Sequence, residues 1–393
     1  MVTNRRRQHD RVAPHIGDLY SSRNSLNFLR LVFAMTVLAS HAVTLGGYRG
    51  EGVFNHTTLG TVAVYGFFGI SGYLIAGSAM RNRSGRYLWQ RFLRIFPGFW
   101  VCLIITALLI GVIGWVSVPR PHCGLSCYLS LKPGPITYMY RNSLLEIKQL
   151  SVAPLDVANG SLWTLFYEFL CYLMLMVLAI VGLLRRRIWA AIVTAGLWSI
   201  LIVITLTPAL EARFSPVQNW APMNFLRFGT IFLVGAIIFL FRDRIPDSGW
   251  IALVCAGLFM ASLWLPTGGK VPEFHLTPSG LLAPLVAYPV LWLGIHLPFH
   301  KVGARNDYSY GFYIYAFPIS QLLAIWGAYR LGYPIYTLLC ILMTVPFAVA
   351  SWWFVEKRAL SLKKLDPKVV TNRVLGAKRE MTPGPEPEDS AST

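Results

Sequence analysis

Ten apolar stretches, most of about twenty residues and separated mainly by short loops, leave this chain few ways to fold. They lie at roughly 26–46, 59–80, 95–117, 161–183, 188–208, 223–241, 249–265, 280–297, 308–329 and 334–355. A helix needs ~20 predominantly apolar residues to cross about 30 Å of hydrocarbon, and all but two or three of these stretches reach that length. The expected fold is therefore an all-α integral membrane protein of about ten transmembrane helices. Composition points the same way, with 55% hydrophobic and only 13% charged residues and a mean hydropathy of +0.53. Soluble domains carry nearer a quarter charged residues.

The loops orient the spans. On the side of the N-terminus they carry Arg81, Arg83, Arg86 and Arg91, then Arg185 to Arg187, then Arg242 and Arg244, then Lys301 and Arg305. The opposite loops are poorer in charge for their length. By the positive-inside rule both termini are cytoplasmic, and the span number is even. The net charge of +18 is thus spread over membrane loops and forms no nucleic-acid-binding face. Residues 1–25 are a polar, basic cytoplasmic tail without a signal-peptide cleavage pattern. Residues 26–358 form one membrane domain, in which 118–160 is an extracytoplasmic loop with the Gly, Pro and Cys content of a small ordered lid. Residues 359–393 form a largely disordered cytoplasmic tail.

Polar groups inside the spans are the candidates for function, because ionisable residues at membrane depth are costly and face a cavity or a partner. Span one, NFLRLVFAMTVLASH, carries Arg30 and His41. Eleven positions apart, they are ~16 Å apart along a helix and only ~20° apart around it. Glu168 lies ~10 Å and His41 ~8 Å below the same outer boundary, so a carboxylate is expected beside the imidazole, with Ser161 as the cap of span four. Pairing of Glu168 with Arg227 for structure alone is the competing reading. Arg91 and Arg94, at i and i+3, share a helix face at the entrance to span three. They serve there either as topology signals or as a phosphate clamp. The small residues of FFGISGY read equally as helix packing and as the lining of a narrow channel. Four cysteines (Cys102, Cys171, Cys255, Cys340) read as small buried hydrophobes. Cys123 and Cys127 are spaced for a local disulfide, and zinc is the weaker alternative because His122 adds only a third ligand. No other metal-ligand pattern stands out.

Taken in order, Arg30 with His41, FFGISGY (67–73), RFLR before Pro97, SLWTLFYE (161–168), YSYGFYIYAFP (308–318) and WFVEK resemble the acyltransferase-3 family of membrane O-acyltransferases. The likeness covers about residues 24 to 358. It implies transfer of an acyl group, acetyl by family default, from cytoplasmic acyl-CoA to a hydroxyl of an extracytoplasmic or membrane-bound glycan or glycolipid. It further implies His41 as the essential histidine, Arg30 and Glu168 as catalytic motif residues, and Arg91, Arg94, Ser71, Gly72 and Tyr73 as acyl-CoA contacts, in the cell's cytoplasmic (inner) membrane. The chain departs from the pattern at Ala316, where many relatives have a histidine. A transporter or flippase of a glycolipid or small molecule is the rival class. Oligomeric state and acceptor are open.

Overall fold

A computed structural model of the chain describes residues 24–48, 57–118, 124–207, 210, 220–264 and 278–364. Most of both terminal tails, and Cys123, lie outside the described residues. Among the described residues the protein is all-helical, with an isolated bridge between Val152 and Leu155 and no strand. The first three helices are α1 (Leu26–Leu45), α2 (Leu59–Arg81) and α3 (Ser84–Ser117). Two short helices follow, α4 (Leu125–Ser130) and α5 (Pro135–Arg141). Then come α6 (Trp163–Ile180), α7 (Arg187–Leu206), α8 (Trp220–Leu240) and α9 (Gly249–Leu263). The last three are α10 (Gly280–His296), α11 (Ser309–Ile325) and α12 (Tyr333–Ser361).

Seven of these are long and apolar enough to cross a membrane: α1, α2, α3, α6, α7, α8 and α12. The remaining apolar stretches form the shorter helices α9, α10 and α11. Two helices outrun their hydropathy windows. α3 starts at Ser84, well before residue 95, and α12 runs on to Ser361. Hydropathy marks where lipid contact ends, whereas a helix continues through a polar rim as long as its amides stay bonded.

α2 and α8 form the centre, with 67% and 78% of their apolar windows buried against 17% for α7. Their crossing is set by glycine. A Cβ on Gly72 would lie 1.9 Å from the Phe232 carbonyl oxygen, and one on Gly235 would lie 2.2 Å from that of Gly69. Backbones this close exclude any side chain at those points. Just beyond, Phe68 stacks on Phe228 at 4.5 Å.

Two π-turns interrupt the long helices, at Thr106–Ile110 in α3 and Trp352–Glu356 in α12. The first presents the Ala107 carbonyl to the buried hydroxyl of Tyr128, which anchors the segment after α3. Residues 142–159 of that segment are held by side-chain bonds to the backbone. The Asn142 side chain accepts from the Lys148 and Gln149 amides (2.9 and 3.0 Å) and donates to the Gln149 carbonyl (2.8 Å), and Asn159 donates to the Ile314 carbonyl at 2.7 Å. Cys127 is disulfide-bonded, whereas Cys102, Cys171, Cys255 and Cys340 are free thiols.

Candidate active site

Three cavities follow α1 end to end. The first, the mouth, has a volume of about 290 Å³ and is lined by Arg30, Arg91, Arg94, Arg305, Asp307 and Lys363, among others. The second is a narrow middle space of about 40 Å³ lined by Arg30, Ser71, Glu168, Ser309 and Tyr310. The third, of about 240 Å³, holds His41 and Arg227. Arg30 borders both the mouth and the middle space, while Val64, Thr164 and Tyr313 border both the middle and the third. The eleven-residue spacing of Arg30 and His41 thus sets them at two stations of one path.

At the mouth Arg30 and Arg94 are paired. Asp307, just before α11, receives Arg30 Nη1 at 2.9 Å and Arg94 Nη2 at 2.5 Å on one carboxylate oxygen. Its other oxygen accepts from the Ser309 amide (3.2 Å) and hydroxyl (2.5 Å). Burial acts to raise the Asp307 pKa, but the two guanidiniums and the Ser309 bonds outweigh it and hold the carboxyl well below the usual carboxylate range. Glu356, set by the second π-turn and bonded by Ser351 (2.9 Å), lies 3.7 Å from Arg94 Nη1. Trp352 Nε1 donates to Asn306 at 3.0 Å, so the same turn also fixes the Asp307 loop.

Arg91 differs from its neighbour one turn on. Its guanidinium lies over Tyr87 and Tyr172 at 5.9 and 5.8 Å, its Nε has no acceptor, and no carboxylate among the described residues pairs with it. Lys363 reaches the same cavity on a segment held by Trp89 Nε1, which donates to the Leu362 carbonyl at 3.1 Å. Burial and then the charges of Arg94 and Arg91 push the Lys363 pKa down.

In the middle space Glu168 accepts from Ser71 Oγ at 3.1 Å and from the Tyr172 hydroxyl at 2.5 Å. It does not meet His41, and the expected carboxylate–imidazole pair is absent. Ser161 and Thr164 lie at the level of His41, and Glu168 lies one turn further toward Arg30. Hydropathy fixes a helix boundary only to within about a turn, and the difference in depth is of that size. Glu168 does not pair with Arg227 either. Ser161 is not the cap it was expected to be: the Ser161 amide is itself capped by Asn159 Oδ1 at 3.1 Å, and the Ser161 hydroxyl has no partner.

His41 projects into the third cavity, its ring edge-on to Phe317 at 5.0 Å, and no group among the described residues hydrogen-bonds it. The hydroxyls of Ser40, Thr44, Thr58, Thr61, Ser161 and Thr164 line the same space. Of the SGY element only Ser71 reaches a cavity. Gly72 lies in the α2–α8 seam, and Tyr73 is buried edge-on to Phe239 at 5.5 Å. Ala316 is buried and lines none of the three spaces. Asp307, Glu356 and Lys363 were missed as site residues. A lone acid in a basic loop (KVGARNDYSY) is the one signal that pointed to Asp307.

A family model described as an acyltransferase domain, that of the acyltransferase-3 family, matches residues 23–353. The chain is 30% identical over 340 residues to an O-acetyl transferase of Shigella phage Sf6, covering 86% of this chain and 96% of that one. It is 25% identical over 399 residues to acyltransferase MdmB of Streptomyces mycarofaciens, covering 92% and 95%. No solved structure matches. Motif order, helical architecture and near full-length similarity agree: the chain belongs to the acyltransferase-3 family, a multi-pass membrane enzyme that transfers acyl groups other than amino-acyl groups.

Proposed function

We propose that this enzyme moves an acetyl group from cytoplasmic acetyl-CoA to a hydroxyl of a glycan or glycolipid at the far face of the cell's cytoplasmic membrane. The observation that carries this reading is the line of three cavities from a cation-rich mouth to a free imidazole. Ten spans with both termini cytoplasmic would put the mouth on the side where acyl-CoA is made, as the basic loops suggest.

The phosphates of CoA suit the mouth, where Arg91 and Lys363 have no carboxylate partner among the described residues and Arg94 is held in place by Asp307 and Glu356. The clamp is therefore Arg91 with Lys363, and Arg94 orders the wall beside it. The thin arm of the donor runs past Arg30 and Glu168 and through the narrow space, which must widen to admit it. His41 then takes the proton of an acceptor hydroxyl as that oxygen attacks the thioester carbon. The carbon–sulfur bond breaks, and the CoA thiolate regains a proton from the imidazolium. A transient acyl-imidazole on His41 would use the same placement. With no hydrogen bond to the ring among the described residues, a nitrogen is left for either route.

Mass spectrometry of envelope glycans from matched strains with and without the chain tests this reading. A mass gain of one acetyl group, lost with His41→Ala while the protein still folds and binds CoA, is the expected result. Retained acetylation in His41→Ala, or glycans identical with and without the chain, would overturn it.

A further inference from the structure

Arg227 is a cation that the fold buries without a counter-charge. Only 6% of it is exposed, and no carboxylate among the described residues pairs with it. It is nevertheless fixed. Nη2 donates to Asn224 Oδ1 at 2.7 Å, and the guanidinium lies 5.0 Å from the Phe228 ring centre and 5.7 Å from that of Tyr65. Its Nε is buried without an acceptor, as is the Ser161 hydroxyl on the same cavity wall. Among the described residues, Arg227 supplies the only lysine or arginine side chain lining the cavity that holds His41. Burying an unpaired ion opposes folding, so such a residue is hard to account for as a structural support. A rigid, buried cation is what a reaction needs where negative charge appears only in passing.

We propose that Arg227 is a catalytic residue that receives the developing charge on the thioester carbonyl oxygen. The inference rests on transfer taking place in the His41 cavity, as proposed above. As the acceptor oxygen bonds to the acyl carbon, its proton passes to His41 and the carbonyl π pair moves onto oxygen, beside Arg227. Collapse restores the carbonyl and breaks the carbon–sulfur bond, and the thiolate leaves with CoA. Attack by His41 itself would place the same charge on the same oxygen, so the role holds on either route.

The test uses the full chain in nanodiscs, with acetyl-CoA as donor and an envelope glycan extract as acceptor source, following CoA release. Arg227→Met is expected to lower the maximal rate on the order of 10²–10³-fold. The half-saturating concentrations of donor and extract should each move by less than about threefold. Arg227→Lys should recover part of the rate, since it keeps the charge but loses the planar fork. The Met variant should melt no lower than the parent. A preserved maximal rate with a raised half-saturation for the extract would overturn the proposal and make Arg227 an acceptor contact. Loss of folded protein in both variants would overturn it in favour of a structural cation. His41→Ala, run in parallel, separates the two readings. Retained turnover there refutes the site, whereas a dead His41→Ala with an unimpaired Arg227→Met refutes only the role of Arg227.

Discussion

The two ends of the cavity path treat charge in opposite ways. At the mouth, Arg30 and Arg94 share the carboxylate of Asp307, with Glu356 behind them. In the far cavity His41 and Arg227 lie among hydroxyl-bearing residues, with no acid among the described residues lining it. Both ends bear the desolvation cost of burying ions, but only the mouth offsets it internally. Charge neutralised inside the protein holds helices in register, and charge left over is available to a guest. By this criterion Arg94 belongs with the supports and Arg91 with the binding groups, although they sit three residues apart on one face.

Removing the shared acid should have the largest effect on stability. Asp307→Ala strands the guanidinium of Arg30, leaves Arg94 only the more distant Glu356, and should cost about 3 kcal/mol, seen as a lower melting temperature in detergent. Adding Arg30→Gln to that variant should recover part of the loss, because one stranded charge is removed. If Asp307→Ala melts like the parent, the contrast between the two ends is wrong. Arg91→Gln sharpens the comparison by a smaller amount. It should raise KM for acetyl-CoA about tenfold, the worth of one charge-assisted bond, and leave melting unchanged. Arg94→Gln should instead lower melting.

The smallest effect is in acid. The Asp307 carboxyl is held below its ordinary range in the folded chain. Its contribution is therefore complete above the unfolded-chain value of about 4 and is lost as the pH falls toward the folded one. The melting difference between the parent and Asp307→Asn should be flat from about pH 8 to about pH 5 and shrink below about pH 4. A difference that instead shrank between pH 8 and pH 6 would overturn the assignment to Asp307.

Much of this was legible in the sequence, and the gaps have physical reasons. The spans α1, α2 and α7 fall within a few residues of their hydropathy windows, because lipid contact is a local property of the chain. Arg30 and His41 on one path follow from helix periodicity alone. Depth is local too, but only to about a turn, and this is why Glu168 was set beside His41 and lies instead with Ser71 and Tyr172. Asp307 is 277 positions from Arg30, and nothing local to either residue announces the pair. Gly72 was read equally as packing and as channel lining, and only the approach of the Phe232 carbonyl shows the seam.

The middle space has a consequence for the bilayer itself. At about 40 Å³, bounded by Glu168, Tyr310 and Tyr313, it has room for little more than one or two water molecules. No hydrated ion passes such a waist, so an enzyme hollow at both ends can sit in an energised membrane without discharging it. Across that barrier each elementary charge represents about 2.3 kcal/mol per 100 mV. On the path proposed for the donor, its arm fills the gap as it forces the waist open. The substrate is then also the stopper, and the seal is broken only by the molecule that replaces it.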